Sequence, residues 1–369
     1  MCRHTPSRDG ELADEHVEPD HPVRNVACTQ ELRCQTGTSN TTKLIRLTTC
    51  ILAIMVLLMP LSLLAQDLSG IPGAFADVGM GLRPLGMGGA YSTLATDENA
   101  ARWNPSLLGA VRDPVVGFTW ANQLSQISYH YAAFSVPIGR KGIGCGGYLI
   151  SAGDDIYRET TIALAAGVDA QKIKVPVEGL HLGMTVKVRT VSFGDGGDDF
   201  IPGDNYPGDI SQERVSGSAA GFGVDIGTHY QVSEEVSLAV VMRDLVNTLS
   251  WDSSVRGTYD ENVPFRLVFA GSMELEHLTM AFEYLPSLDE DVNSRMIFGA
   301  EVILFRVIKP RIGIAQDMES GEVNRWVTLG VGVDVPFESF GPIKHIHFGY
   351  THMFHHIDHT PRVGLSLSF

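Results

Sequence analysis

The sequence predicts an all-β protein: a closed antiparallel β-barrel of about 14 strands that crosses a membrane. Three observations predict this fold. An export signal precedes the body of the chain, long runs of residues alternate between apolar and polar, and the last run ends on an aromatic residue. Composition agrees, because 39 of 369 residues are glycine, which exceeds the usual share of about 7%. The formal charge of −16 argues against nucleic acid as a partner.

The first 65 residues divide into two parts. Residues 1–42 are polar and lack apolar periodicity, which indicates a disordered leader or a wrongly assigned start. Residues 43–65 hold a basic flank, an apolar run and a break at Pro60, the features of a secretory signal peptide. An uncleaved membrane anchor is the alternative. Cleavage near residue 65 would leave Cys145 as the one cysteine, so no intramolecular disulfide is expected.

Residues 114–369 alternate in the way that membrane-crossing strands do. In 180–189 every second residue is apolar and the others are polar or glycine, so one face suits lipid and the other suits water. Runs of about 9–11 residues are long enough for a tilted membrane crossing. The two longest predicted connections, 194–216 and 245–262, fall on the same side of the membrane, as in outer-membrane barrels. The fourteen predicted strands are 114–122, 126–138, 142–151, 159–170, 180–193, 217–231, 236–244, 263–273, 277–285, 294–303, 306–316, 325–335, 343–353 and 361–369.

The polar faces of these strands carry charges of both signs, which favours an enclosed, hydrated lumen in which opposite charges pair. A spanning sheet must close on itself, because lipid cannot satisfy the hydrogen bonds of an open edge. A soluble β-sandwich is the alternative, with the apolar faces packed against each other. The predicted lumen-facing charges are Lys187, Arg189, Asp225, Arg243, Arg266, Glu283, Glu301 and Asp334.

The chain ends in a pattern that resembles the C-terminal signal of outer-membrane barrels. Arg362, Gly364, Leu367 and the terminal Phe369 fit its polar, glycine, apolar and aromatic positions. A strand with an exposed edge and aligned apolar side chains can pair with a partner by strand addition. The resemblance implies that the barrel-assembly machinery binds this strand during biogenesis.

The segment before the first strand is similar to a known family. The run GMGGAYSTLATDENAARWNPSLLG, residues 86–109, resembles the N-terminal region of the FadL-like superfamily of outer-membrane barrels, particularly its PorV/PorQ-type branch. The run from Met242 to Gly271 is similar to the middle of that branch. The resemblance implies fourteen strands, with residues 66–113 folded into the lumen as a hatch.

Within the hatch, the family's Asn-Pro turn maps onto Asn104 and Pro105, while Gly86, Gly88 and Gly89 would permit close backbone approach. A phosphate-binding loop is the alternative for these glycines. The segment lacks the preceding strand and the following helix that such a loop requires.

Two polar clusters suggest ion sites without specifying one. The acidic loop at 195–209 lacks the spacing of a calcium loop, and the histidines at 345–359 lack a recognisable zinc spacing. No catalytic motif is found. We therefore expect neither an enzyme, nor a cofactor, nor a metal site.

Two functions follow from the resemblance. The first is a secretion-associated, type IX-like barrel that binds secreted protein cargo. The alternative is an uptake channel for hydrophobic small molecules such as fatty acids, which predicts an apolar pocket formed by 194–216 and 245–262 above the hatch. Both place the protein among the lipids of the outer membrane of a Gram-negative-type bacterium.

Overall fold

The computed structural model describes residues 79–123, 127–139, 142–154, 156–194, 216–254, 256–288, 292–318, 325–337, 341–354 and 359–369. The predicted leader, the predicted signal peptide and residues 66–78 of the predicted hatch lie outside these ranges. Two short α-helices and two 3-10 helices accompany fifteen strands in the described part. The helices are α1 (Leu82–Gly86), α2 (Ala100–Trp103), η1 (Pro105–Ala110) and η2 (Ala170–Ile173). The strands are β1 (Val115–Gln123), β2 (Ile127–Pro137), β3 (Ile143–Gly153), β4 (Tyr157–Asp169), β5 (Leu180–Phe193), β6 (Gly217–Gln231), β7 (Val236–Ser253), β8 (Gly257–Glu261), β9 (Arg266–Glu274), β10 (Leu278–Leu285), β11 (Arg295–Val302), β12 (Ile308–Asp317), β13 (Arg325–Pro336), β14 (His345–Phe354) and β15 (His359–Ser368).

The strands form one closed antiparallel sheet. Strands β1 to β7 pair in chain order, β7 then pairs with β9, and β9 to β15 again pair in chain order. The ring closes where β15 pairs with β1, from Val115 opposite Ser368 to Ala121 opposite Arg362. Strand β8 pairs with the far half of β7 and extends the wall beyond the ring. The predicted fold class, a closed barrel of fourteen strands, is confirmed.

The barrel has apolar side chains on its outside and polar or small residues on its inside. On β5, Met184 and Val188 are 52% and 54% exposed, whereas Lys187 between them is 3% exposed. Exposed apolar residues recur around the wall, among them Phe118, Leu164, Phe222, Phe269, Leu329, Phe348 and Leu365. A continuous apolar band of this kind is unfavourable in water and matches the acyl chains of a bilayer. The structure is therefore that of a membrane-spanning β-barrel of the outer-membrane type.

The two ends of the barrel differ in their connections. The start of β1 and the end of β15 lie together at one end, which also carries the short turn between β6 and β7 at 232–235. The long connection between β5 and β6 lies at the other end. Short turns mark the periplasmic end of such barrels and long loops mark the outer end. We use the terms periplasmic end and outer end accordingly.

The predicted strands coincide with the fourteen wall strands to within a few residues, with one difference at β7. This strand was expected to end at residue 244 but continues to Ser253, and β8 folds back against it. The predicted loop at 245–262 is therefore mostly a two-stranded extension at the outer end. Among the described residues, no helix combines the length and the apolar character needed to cross a bilayer.

Residues 79–113 lie inside the barrel and are called the luminal segment below. Helix α1 packs against β12 to β15, and η1 packs against β3 to β6. Most residues of the segment are buried, including Tyr91, Asn104, Leu107 and Leu108. The segment thus spans the lumen between two opposite stretches of wall.

Candidate functional site: the luminal segment and the barrel interior

The luminal segment is built from short turns because glycine, proline and asparagine interrupt every helical stretch. Helix η1 begins with Pro105, whose missing amide hydrogen costs nothing at a helix start. Asn104 caps this helix, since its Oδ1 accepts hydrogen bonds from the amide nitrogen of Ser106 at 3.1 Å and from the Ser106 hydroxyl at 2.7 Å. The Asn104 Nδ2 donates to the carbonyl oxygens of Ser92 at 2.7 Å and Thr228 at 3.2 Å. Asn104 therefore joins both halves of the segment to β6.

Glycines of the wall receive the backbone of the luminal segment. A methyl group added at Gly313 of β12 would lie 1.9 Å from the amide nitrogen of Gly88, and one added at Gly183 of β5 would lie 2.3 Å from the carbonyl carbon of Pro105. No side chain fits in such gaps. We call the inward-facing wall glycines at which an added methyl group would lie within 2.5 Å of the segment's backbone the glycine seat. Its members are Gly144, Gly167, Gly183, Gly299 and Gly313.

The predicted hatch glycines lie at the opposite wall from η1. Gly88 and Gly89 have positive φ angles of 72° and 100°, which favour glycine, and they turn the chain after α1. Gly86 lies against Arg311 and Thr351 of the wall. All three, with Asn104 and Pro105, are thus inside the barrel at points where backbone and wall are in contact.

Charged side chains of the wall hold the first half of the segment. Arg83 of α1 donates to Glu301 of β11, with an Nη2 to Oε1 distance of 3.0 Å, and Arg311 of β12 donates to the other oxygen of the same carboxylate at 2.5 Å. Arg83 also donates to the hydroxyl of Tyr91 at 3.0 Å, and that hydroxyl donates to Asp97 at 2.5 Å. This chain of charge-assisted bonds links the wall to α1 and, through Tyr91, to Asp97 before α2.

A second carboxylate of the wall binds the backbone of the segment directly. One oxygen of Glu283 on β10 accepts hydrogen bonds from the amide nitrogens of Tyr91 at 2.7 Å and Ser92 at 2.6 Å. Glu283 is only 1% exposed. The guanidinium of Arg243, on β7, lies 5.2 Å from the ring centre of Trp103, within the range of a cation–π contact. Glu283, Glu301 and Arg243 were all predicted to face the lumen, and all three contact the luminal segment.

Two acidic residues of the segment lie close together. The Asp97 Oδ1 accepts hydrogen bonds from the backbone and side-chain nitrogens of Asn99 at 3.0 and 3.1 Å. Burial raises the pKa of the adjacent Glu98, and the negative charge of Asp97 raises that pKa further. This part of the segment therefore favours a protonated Glu98.

Four charges form a buried network in the wall itself. Lys187 of β5 lies 2.6 Å from Oδ1 of Asp225 and 3.0 Å from Oδ2 of Asp244, and Arg189 binds both oxygens of Asp244 at 2.8 and 2.9 Å. The pairing of β6 with β7 is irregular here, since Val224 pairs with Val246 but Ile226 pairs with Met242. Asp244 adopts a φ of 56° within this bulge and turns into the lumen. The network therefore holds the wall where its ladder is broken.

The sequence predicted three members of this network and missed Asp244. Asp244 follows the inward-facing Arg243, so strict alternation would place it on the lipid side. The bulge interrupts the alternation locally, so Arg243 and Asp244 are both buried, and the inward positions are odd-numbered again at Leu249. A charged residue that alternation assigns to the lipid face of a strand is the one signal that could have indicated the bulge.

The two remaining predicted lumen charges, Arg266 and Asp334, lie on β9 and β13. Arg266 is the first residue of β9, opposite Arg243. Asp334 of β13 binds Lys309 at 3.0 Å and lies 3.3 Å from Nδ1 of His345. Sequence analysis also missed Arg83 and Arg311, although Arg311 lies opposite Glu301 in the ladder and could have been found from the strand register.

The predicted assembly signal lies in the strand that closes the barrel. Arg362 and Gly364 of β15 face inward, and Gly364 is in close contact with Leu82 of the segment. The amide nitrogen of Phe369 donates to the carbonyl oxygen of Pro114 at 2.9 Å, which continues the pairing with the start of β1. Recognition of this strand by an assembly machine stays a prediction.

Neither suggested ion site is assembled in the described residues. The acidic stretch from residue 195 onward and His355 and His356 lie outside them. His352 and His359 face each other with ring centres 5.8 Å apart. In the described part of the chain, no three histidine, cysteine or acidic side chains come close enough to hold a metal ion.

The interior is more apolar than alternation alone predicts. Two buried apolar clusters surround the luminal segment, one centred on Tyr131, Tyr148 and Leu108 and the other on Tyr91, Trp103 and Leu107. The luminal segment itself supplies many of their residues, which strand periodicity could not reveal.

A third apolar cluster lies at the outer end, and we call it the outer apolar cluster. It is formed by Val191 of β5, Ala219 of β6, Leu249 of β7 and Val263, with Tyr157 and Trp251 packed against it. Trp251 stacks on Tyr259 of β8 with an interplanar angle of 9°. The β7–β8 extension therefore supplies apolar surface near the outer mouth, in the region where the uptake hypothesis predicts an apolar pocket. The other predicted contributor, 194–216, lies almost wholly outside the described residues.

No protein-family model matches the sequence, and no curated protein matches it either. Solved structures with the same fold do exist. The CymD monoaromatic hydrocarbon channel matches with a TM-score of 0.51 and 15% identity over 79% of this chain and 97% of that chain. A Pseudomonas aeruginosa FadL homologue matches with a TM-score of 0.51 and 12% identity over 78% and 97%. The Ralstonia pickettii toluene transporter TbuX matches with a TM-score of 0.50 and 14% identity over 79% and 97%.

These likenesses show a shared fold. Two of the matched structures are named as a channel and as a transporter, and one is named as a FadL homologue. None of them supports the PorV/PorQ branch in particular. Function does not follow from fold alone.

Proposed function

We propose that this protein is an outer-membrane channel for the uptake of hydrophobic small molecules. The observation that carries the proposal is the outer apolar cluster, which places Leu249, Val191 and Trp251 inside a barrel whose lumen would otherwise be expected to be polar. Apolar side chains inside a barrel gain nothing from lipid, so their place here suits an apolar guest. Two of the matched structures support the same class of cargo, because one is named a monoaromatic hydrocarbon channel and the other a toluene transporter.

Closure of the lumen supports a gated channel rather than an open pore. The luminal segment crosses the barrel from α1, which packs against β12 to β15, to η1, which packs against β3 to β6. Between these two walls, it buries Tyr91, Leu107 and Leu108. A general porin needs a water-filled passage. In this protein, a cargo molecule that moves from the outer apolar cluster to the periplasm requires part of the segment to shift. Hydrophobic cargo suits such a route because the segment is surrounded by apolar clusters.

The secretion-associated hypothesis rests on the sequence resemblance alone. The matched structures favour the uptake hypothesis and give no specific support to a cargo-binding barrel. Purification of the intact barrel from its membranes separates the two functions. Stoichiometric secreted protein on the barrel would favour cargo binding and contradict our proposal.

The direct test is uptake of radiolabelled toluene by cells that carry the protein, compared with cells that carry an empty vector. The matched variants are Leu249→Asn, which places an amide in the outer apolar cluster, and Leu249→Met, which keeps an apolar side chain of similar volume. We expect the protein to raise uptake, Leu249→Asn to remove about 90% of the gain, and Leu249→Met to keep most of it, because one lost apolar contact is worth about tenfold or more. Equal uptake with and without the protein would refute the proposal.

A further inference from the structure

A cavity of about 450 Å³ lies at the periplasmic end, between the luminal segment and the wall. The segment contributes Thr93, Leu107 and Ala110, and the wall contributes His181 of β5 and His229 of β6. We call this cavity the periplasmic chamber. Its volume lies within the range of about 300–1,000 Å³ that is typical of sites for small molecules. It lies on the side of η1 opposite the outer mouth, where a molecule that has passed the segment would arrive.

The chamber has an apolar side and a polar side. Leu107, Ala110 and Val115 supply apolar surface. The polar part of the lining includes the imidazole rings of His181 and His229, which meet edge to face with their centres 5.7 Å apart. A neutral imidazole can both donate and accept a hydrogen bond. The pair therefore suits a ligand that presents a ring or chain to the apolar side and a hydroxyl group to the histidines.

The charged side chains at the chamber balance one another. Arg112 and Glu274 both line it and have opposite signs, and Asp113, which also lines it, forms an ion pair with Lys344. A carboxylate or an ammonium group on the ligand would lose its hydration without gaining a surplus of opposite charge. An uncharged polar group avoids that cost.

We propose that the periplasmic chamber is the exit site of the channel and that it binds a small hydrophobic molecule with an uncharged hydrogen-bonding group, of which a phenol is the simplest example. This inference rests on the proposed function and deepens it by naming a substrate class and a second binding site. The chamber holds the molecule after it passes η1 and releases it to the periplasm.

The test combines binding with uptake. Crystals of the barrel are soaked with 4-bromophenol or, separately, with 4-bromobenzoate, and the bromine is located by its anomalous scattering. We expect a bromine peak in the chamber with the phenol and none with the benzoate.

The variant Ala110→Phe fills the chamber from the partly exposed end of η1, and Ala110→Ser is the control at the same position. In cells, Ala110→Phe should lower uptake of radiolabelled p-cresol by about tenfold, whereas Ala110→Ser should stay within about twofold of the unmodified protein.

The outcomes separate this inference from the proposed function. If the unmodified protein takes up p-cresol, a chamber without bromine or an Ala110→Phe variant with unchanged uptake would overturn the exit site and leave the channel function intact. If a bromine peak occupies the chamber but the unmodified protein takes up no p-cresol or toluene, the channel function fails and the exit assignment falls with it. A stronger peak for 4-bromobenzoate than for 4-bromophenol would overturn the substrate class.

Discussion

Substitution of one wall glycine should open the barrel. In Gly313→Ala the new methyl group would lie 1.9 Å from the amide nitrogen of Gly88 and 2.3 Å from the carbonyl carbon of Met87. Ordinary contacts begin near 3.4 Å, so the turn after α1 must retreat by about 1.5 Å. A shift of that size breaks the hydrogen bonds of 2.7 and 2.6 Å between Glu283 and the two amides that follow the turn. Each hydrogen bond to a charged group contributes about 1.5–3 kcal/mol, so the first half of the segment should lose about 3–6 kcal/mol of attachment.

Ion conductance across a planar lipid bilayer measures this loss. We expect a low conductance for the unmodified barrel and a several-fold higher one for Gly313→Ala, together with faster hydrogen exchange of the amides of residues 82–92. The matched control is Gly271→Ala on β9, where an added methyl group meets only an ordinary contact at 3.6 Å with Leu238. If Gly313→Ala keeps both the conductance and the exchange of the unmodified barrel, the wall glycines do not seat the segment and the reasoning fails.

Three further predictions concern charged groups. Glu283→Ala should accelerate hydrogen exchange at Tyr91 more than Glu283→Gln, because the glutamine oxygen can still accept from the amide; equal effects would contradict a direct bond. The pKa of Glu98 is raised from its ordinary 4.5 to about 8, so the segment is most stable at acid pH and loses that contribution as the pH rises from about 4.5 through about 8. Protection factors of residues 94–103 should fall over that range in the unmodified protein but not in Glu98→Gln. Lys187→Met removes the ion-pair partner of Asp225 and should lower the free energy of unfolding by about 3–5 kcal/mol. The barrel should then lose its folded mobility on a detergent gel at a lower temperature, whereas an unchanged temperature would show that Arg189 alone compensates.

Most of the wall could be predicted because strand alternation is imposed by lipid. Each lipid-facing position must be apolar, and a one-residue error moves every side chain to the wrong face. The fourteen predicted strands therefore match the structure closely. The far half of β7 was missed because it lies beyond the apolar band, where Ser250 and Asp252 face outward and no lipid imposes a pattern.

The interior was harder to predict because its partners are distant in sequence. Lys187 and Asp225 were recognised as lumen-facing, but their joint partner Asp244 depends on a bulge that alternation cannot show. Contacts between Arg83 and Glu301, 218 residues apart, follow from the way the luminal segment is threaded, and no local pattern encodes that path. Sequence reasoning thus gives the faces of the strands and leaves the pairing across the lumen undetermined.

The glycine content of the strands links fold to function. Glycine on the polar faces weakens the strands by itself, since it loses more backbone entropy on folding than any other residue. In this barrel, the inward-facing glycines make room for a second stretch of backbone, and Gly167, Gly183 and Gly313 approach it within distances that exclude any side chain. In an open pore, side chains at these positions would meet no second stretch of backbone, so glycine would not be required there. Their distribution on two opposite walls therefore indicates that residues 79–113 are built to fill the lumen. Under the proposed channel function, transport would require one half of the segment to move while the other stays attached.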